Sequence, residues 1–231
     1  MLDAIHSSSA SGGWQPEKIN IAIKLTQLGL DFDEEGCNRR VAVLLQRAKE
    51  YGNFVRLDME SSQYTDRTIG IAIAMNKRFG NVGTVLQSML YRTPQDLEQL
   101  MREYIRIRIV KGAYLESIDD AYPKKADTDK AYVECVKRLL LDGRYPAIAT
   151  HDKEIIDTTI ALAKEQDIRP GRYEFQMLYG ICRGLQNDLK KQGYTVRVYV
   201  PYGKSWYPYF TRRLAERPAN LFFFLRSLIS K

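Results

Sequence analysis

Arg106, Arg108 and Lys111 put three cations into one short apolar stretch, Arg106-Ile-Arg-Ile-Val-Lys-Gly-Ala-Tyr-Leu115. Ile107, Ile109 and Val110 are β-branched, and the pattern predicts a buried strand over residues 105–111. Cations on such a strand are costly to bury unless an anionic or electron-rich group receives them. A tight turn at Gly112 follows, then an aromatic and an acid, Tyr114 and Glu116. A strand end of this kind could hold a phosphate-bearing cofactor, or it could be a solvent-edge strand whose charges block further pairing. A second cluster lies near the C-terminus. Arg212 and Glu216, and Tyr209 and Arg213, are spaced one helical turn apart. A guanidinium fork suits a carboxylate through two parallel hydrogen bonds. On spacing alone, a salt-bridged surface helix is the simpler reading.

The elements that must position these groups alternate between strand and helix. Strands are predicted over 19–26, 54–57, 82–87, 105–111, 146–150, 173–176 and 195–200. Helices are predicted over 38–51, 66–79, from about 97, 129–141, 152–164 and 182–192, with two more near 206–216 and 219–229. Thr93 is expected as an N-cap with Pro94 at the first helical position, and Asp152 as the cap of its helix. Residues 1–15 read as a short helix remnant followed by a Ser/Gly-rich linker, and residues 16–231 as one domain. Strict alternation argues a parallel α/β fold. An open doubly wound sheet would call for a Gly-x-Gly-x-x-Gly turn, and none occurs. The expectation is a TIM-barrel-like (βα)8 fold in which seven strands are visible, the first is missing and an extra helix closes the C-terminus. Polar residues stand at most predicted strand ends: Lys24, Asp58, Gln87, Lys111, Thr150, Gln176 and Tyr199. Barrel enzymes gather their chemistry at that one face.

Composition bounds the function. The chain has 231 residues, 45% of them apolar, which is enough for one sizeable core. No apolar run is long enough for a membrane span, and residues 1–13 lack the pattern of a signal peptide. Two histidines and three scattered cysteines (Cys37, Cys135, Cys182) argue against a histidine-rich metal site and suit a reducing, cytoplasmic compartment. The net charge of +7 comes with acids interleaved among the basic residues, which argues against nucleic acid. It favours an anionic cofactor or peripheral contact with the inner face of an anionic membrane.

Five motifs now stand in order: the 106–115 stretch, Asp58-Met-Glu60, Ala149-Thr-His-Asp152, Tyr173-Glu-Phe-Gln-Met-Leu-Tyr-Gly180 and Tyr209-Phe-Thr-Arg-Arg-Leu-Ala-Glu216. Together they resemble proline dehydrogenase, the FAD-dependent family that begins proline catabolism, over residues from about 16 to the C-terminus. The resemblance implies oxidation of L-proline to 1-pyrroline-5-carboxylate, with hydride passing to flavin N5 and electrons to a quinone. A dehydrogenase for the next step is an implied partner. Arg212, Arg213 and Lys24 would bind the substrate carboxylate, and Tyr114, Leu178 and Tyr199 would wall the ring. Tyr199 favours proline over hydroxyproline, because relatives acting on the latter carry a smaller residue there. Asp58 would hold a substrate-binding arginine and Arg108 would stand beside flavin N5. Gln87, Lys111, Gly112, Tyr114, Lys125, Thr128, Thr150, His151, Gln176, Glu216 and Phe223 would line the cofactor. Glu60 reads as structural support. The resemblance also implies an N-terminal arm and a first strand, and both are expected to be absent from residues 1–231. A non-catalytic barrel fragment, serving as a scaffold, is therefore the alternative reading.

Overall fold

The computed structural model describes residues 1–12 and 19–203. Seven strands form one all-parallel sheet in sequence order: β1 (Ile21–Lys24), β2 (Val55–Asp58), β3 (Val82–Gln87), β4 (Arg106–Val110), β5 (Ala147–Ala149), β6 (Glu174–Leu178) and β7 (Thr195–Tyr199). Helices follow the strands: α2 (Glu34–Glu50), α3 (Thr65–Phe79), α4 (Thr93–Arg102), α5 (Lys125–Asp142), α6 (Lys153–Glu165) and α7 (Arg183–Lys191), with α1 (Leu2–Gly12) preceding β1. Successive pairing with a helical crossover at each step curls the sheet into a half-barrel. Among the described residues β1 pairs only with β2 and β7 only with β6. The seven-stranded barrel expectation therefore holds. β4 is a central strand, which overturns the solvent-edge alternative for its cations.

Alternation along the strands separates two environments. Val55 and Leu57, Ile107 and Ile109, and Phe175 and Met177 belong to a core shared with Val41 and Leu45 of α2, Ile69 and Ala72 of α3, and Tyr132 and Val136 of α5. The intervening residues face the barrel interior and are polar: Arg56 and Asp58, Arg106 and Arg108, Glu174 and Gln176, Arg197 and Tyr199. Cys37 and Cys135 are buried and Cys182 is exposed. Burial pushes the Cys135 thiol up to about 11, so it packs as a small hydrophobe.

Local chemistry sets the boundaries. Asp152 caps α6, its carboxylate accepting from the Glu154 amide, as the sequence predicts. Asp33 caps α2 with its carboxylate, and the helix starts at Glu34, four residues earlier than predicted. Thr93 departs from expectation. It is the first helical residue of α4, and its hydroxyl donates to the Gln87 carbonyl at 2.5 Å instead of capping. The expected linker also differs, because α1 runs on through the Ser/Gly stretch to Gly12. The Ser7 hydroxyl donates to the Asp3 carbonyl at 2.9 Å, a bond compatible with helix. Buried Leu2 and the Asp3–Arg47 ion pair at 2.9 Å dock α1 on α2.

Candidate active site at the strand ends

Four strands meet at one buried constellation. Arg108 on β4 donates from Nη1 to Asp58 Oδ1 on β2 at 2.7 Å, and from Nε to Gln176 Oε1 on β6 at 2.6 Å. Tyr199 on β7 donates its hydroxyl to Asp58 Oδ2 at 3.0 Å, and the Arg108 guanidinium lies 5.4 Å from the Tyr199 ring centroid. These residues are far apart in sequence and meet because each lies on the inward-facing register of its strand. The Arg108 and Asp58 side chains are 8% and 12% exposed, so their charges compensate one another out of water.

A second polar layer lies beneath, two residues earlier on each strand. Glu174 takes a two-pronged bond from Arg197, at 2.9 Å from Nε and 2.8 Å from Nη2, and Gln176 Nε2 also donates to it. Burial alone would raise the Glu174 pKa, but the Arg197 fork outweighs burial and holds the carboxyl below its usual range. Arg56 is fully buried. It donates to the carbonyls of Thr84 and Arg106 at 3.1 and 3.4 Å and lies 5.1 Å from the Phe54 ring. Burial, and then the neighbouring Arg108 charge, lower its pKa to about 9. Sequence reading left Arg56, Glu174 and Arg197 unassigned. The available signal was the period of two: each precedes a site residue by two positions on the same strand.

The loops above are tied into a hoop. Lys24 donates to the Tyr114 hydroxyl at 3.1 Å. The Glu60 carboxylate accepts from the Thr26 amide and hydroxyl at 3.1 and 2.8 Å, and its carbonyl accepts from Gln87 Nε2 at 2.9 Å. Glu60 is therefore structural support, as read from the sequence. Glu116 accepts from the Ser62 amide and hydroxyl at 2.8 and 2.6 Å. Lys111 bridges Asp129 at 2.6 Å and Asp152 at 2.8 Å, and Lys125 pairs with Asp129 as well. The Lys111 bond holds the Asp152 carboxyl below its usual range. His151 Nε2 accepts the Leu178 amide at 2.8 Å. The Thr150 hydroxyl accepts the Asp152 amide at 3.0 Å.

Gly112 is fixed by the backbone. Its φ is +120°, and a Cβ there would meet Met89 Sδ at 2.2 Å. Lys125 and Thr128 sit in the first turn of α5, not in a loop before it, because the helix starts four residues ahead of the predicted 129. The structure thus brings Lys24, Asp58, Gln87, Arg108, Tyr114, Gln176, Leu178 and Tyr199 to one end of the sheet. Lys111, Lys125, Thr128, Thr150 and His151 form its flank around α5 and α6. Arg212, Arg213, Glu216 and Phe223 lie outside the described residues, as do both predicted C-terminal helices.

A family model described as proline dehydrogenase matches residues 1–226. Proline dehydrogenase 2 of Bacillus subtilis (strain 168) is 43% identical over 212 residues, which is 92% of this chain and 70% of that protein. Proline dehydrogenase of Deinococcus radiodurans is 44% identical over 234 residues, covering 99% of this chain and 73% of its own length. Among solved structures, proline utilization A from Bdellovibrio bacteriovorus, inactivated by N-propargylglycine, superposes with a TM-score of 0.85 at 25% identity. That match spans 92% of this chain and 27% of the larger one.

Proposed function

The chain belongs to the proline dehydrogenase family, and from that premise we propose that it oxidises L-proline to 1-pyrroline-5-carboxylate with FAD as its cofactor and a quinone as the final acceptor. The observation that carries the reading is the convergence of Arg108, Asp58, Gln176 and Tyr199 at the sheet's C-terminal end. An arrangement of this kind suits a barrel enzyme, whose catalytic groups come from the ends of several strands.

The residues present fit a flavin dinucleotide. Arg108 and Gln87 offer cationic and amide donors of the kind that hydrogen-bond a flavin ring. Helix α5 begins at Lys125, and its N-cap residue Lys124 makes no side-chain capping bond. Its first-turn amides, with Lys125 and Thr128 beside them, suit a pyrophosphate. When bound, the flavin supplies the two-electron acceptor for the hydride leaving the ring carbon beside the proline nitrogen.

The chain's own groups bind and orient. Lys24, with Arg212 and Arg213, receives the substrate carboxylate. Tyr114, Leu178 and Tyr199 enclose the pyrrolidine ring. Asp58 fixes the Tyr199 hydroxyl and the Arg108 guanidinium together, so a wall of the substrate site and the cation of the cofactor site share one anchor. Arg108 would hold a flavin ring beside its guanidinium, where it would favour negative charge on that ring. Proline reacts with its ring nitrogen neutral. His151 Nε2 takes no proton from it, because that atom already accepts the Leu178 amide. Among the described residues, no helix is long and apolar enough to cross a membrane. The net charge of +7 favours approach to an anionic bilayer, where a quinone would be met.

The test uses the 231-residue chain itself. The purified protein should show flavin absorbance that bleaches anaerobically on adding proline, and should reduce a quinone analogue in a proline-dependent manner. Arg212→Ala/Arg213→Ala should retain the flavin and lose proline affinity. A colourless protein, or one whose flavin ignores proline, overturns the reading in favour of a non-catalytic scaffold.

A further inference from the structure

We propose that Glu116 is a positioning residue for the substrate, acting through Tyr114; the proposal rests on the reading of this site as a proline site. The connection from β4 to α5, residues 111–124, is long, and its two ends are held differently. Its far end is knitted by backbone. Tyr91 donates to the Asp120 carbonyl at 3.0 Å, Tyr122 donates to the Met89 carbonyl at 2.8 Å, and Leu90 and Ala121 form a β-bridge. Its near half is tied in this way only at Lys111, whose carbonyl accepts the Met89 amide at 2.9 Å. Leu115 is fully exposed and Ile118 is 68% exposed, so apolar packing does not hold the segment down.

What holds it is the Glu116 carboxylate, which accepts both the amide and the hydroxyl of Ser62. Ser62 opens a short 3-10 turn, Ser62–Tyr64, leading directly into α3, so the clasp is fastened to a rigid element. Two residues before the clasp, the Tyr114 hydroxyl meets Lys24, whose ammonium lies 5.7 Å from the Tyr114 ring centroid. Both Glu116 oxygens accept from Ser62, so the carboxylate spans the two loops. Its effect is to fix the height and tilt of Tyr114 over the cation that receives the substrate carboxylate. Glu60 makes the same two-pronged bond one loop earlier, to Thr26. The segment carrying Lys24 and the segment carrying Tyr114 are thereby each pinned to the β2–α3 connection.

The experiment is steady-state proline oxidation by the flavin-loaded enzyme, with binding of the proline analogue that carries oxygen in place of the ring nitrogen. Glu116→Ala and Ser62→Ala should raise KM and weaken analogue binding about tenfold, with kcat within about twofold and flavin content unchanged. Ser62→Thr keeps the hydroxyl and should rescue affinity. Unchanged KM in Glu116→Ala overturns the proposal. So does joint loss of kcat, flavin and thermal stability, which would make the clasp a folding element only. A wild-type chain that neither oxidises proline nor binds the analogue overturns the functional reading and this inference with it. Wild-type turnover with unaltered variants overturns the inference alone.

Discussion

The central fact at the residue scale is that one carboxylate serves two partners. Asp58 accepts from Arg108 with one oxygen and from Tyr199 with the other. Removing it leaves the Arg108 guanidinium buried without its counter-charge. Asp58→Ala should therefore cost about 3 kcal/mol of stability, read from urea unfolding midpoints. Replacing both partners, Asp58→Ala/Arg108→Met, should restore part of that loss while proline turnover stays low. Such an outcome would separate the fold's need for a matched pair from the chemistry's need for these two groups. If the double variant is no more stable than the single one, the charge account of Asp58 is wrong. The same scale explains what was hard to read. Arg108 was legible as a cation needing a partner, but three residues of its surroundings, Arg56, Glu174 and Arg197, were not singled out. Their types are ordinary on a strand, and only their shared inward register gives them a role.

At the element scale, the β4–α5 connection decides how the mouth is shaped. It leaves β4 through Gly112 at a φ that only glycine adopts without strain, against the Met89 thioether. Gly112→Ala should destabilise the protein by about 1–3 kcal/mol, through backbone strain and the clash together. Adding Met89→Ala should return the steric part and leave the backbone part, which thermal unfolding of the three variants will resolve. Full recovery in the double variant would show that the backbone conformation carries no cost. Strands and helices were largely legible, since the alternation and the glycine stops announce them. Apart from the Ser/Gly linker, which is helical to Gly12, the misreadings fell at helix starts. Thr93 could cap by composition, yet its hydroxyl is drawn to the Gln87 carbonyl by the packing of α4 on β3. Helix α5 begins earlier than its apolar periodicity, because Lys125 and Asp129 pair across its first turn.

For the whole molecule, the half-barrel is bound by ion pairs inside the sheet and around its rim. The Glu174 and Asp152 carboxyls are both held below their usual range in the folded state. A group depressed on folding stabilises above its unfolded pKa, and the contribution is lost as pH falls through and below that value. The unfolded chain binds more protons in that window, so stability must fall with falling pH. Urea midpoints should be level from about pH 7 to 5 and decline below about pH 4.5, where unfolded carboxylates begin to protonate. Asp152→Asn preserves the helix cap but removes the negative charge facing Lys111, so it should lower the neutral plateau and flatten the acid decline. An acid slope identical to wild type would remove Asp152 from the account.

Sequence alone determined the strand–helix alternation, the parallel sheet of seven strands and the polar residue at nearly every strand end. These follow from local rules: periodicity of two or 3.6, β-branching, and glycine where a helix must stop. The five motifs likewise mark the family. Tertiary structure alone decided which of those residues touch. Asp58 reaches Tyr199 across 141 positions and Glu116 reaches Ser62 across 54. No spacing rule encodes such contacts, because they depend on the curl of the sheet and on which carboxylate lies within hydrogen-bond reach once the strands are in register.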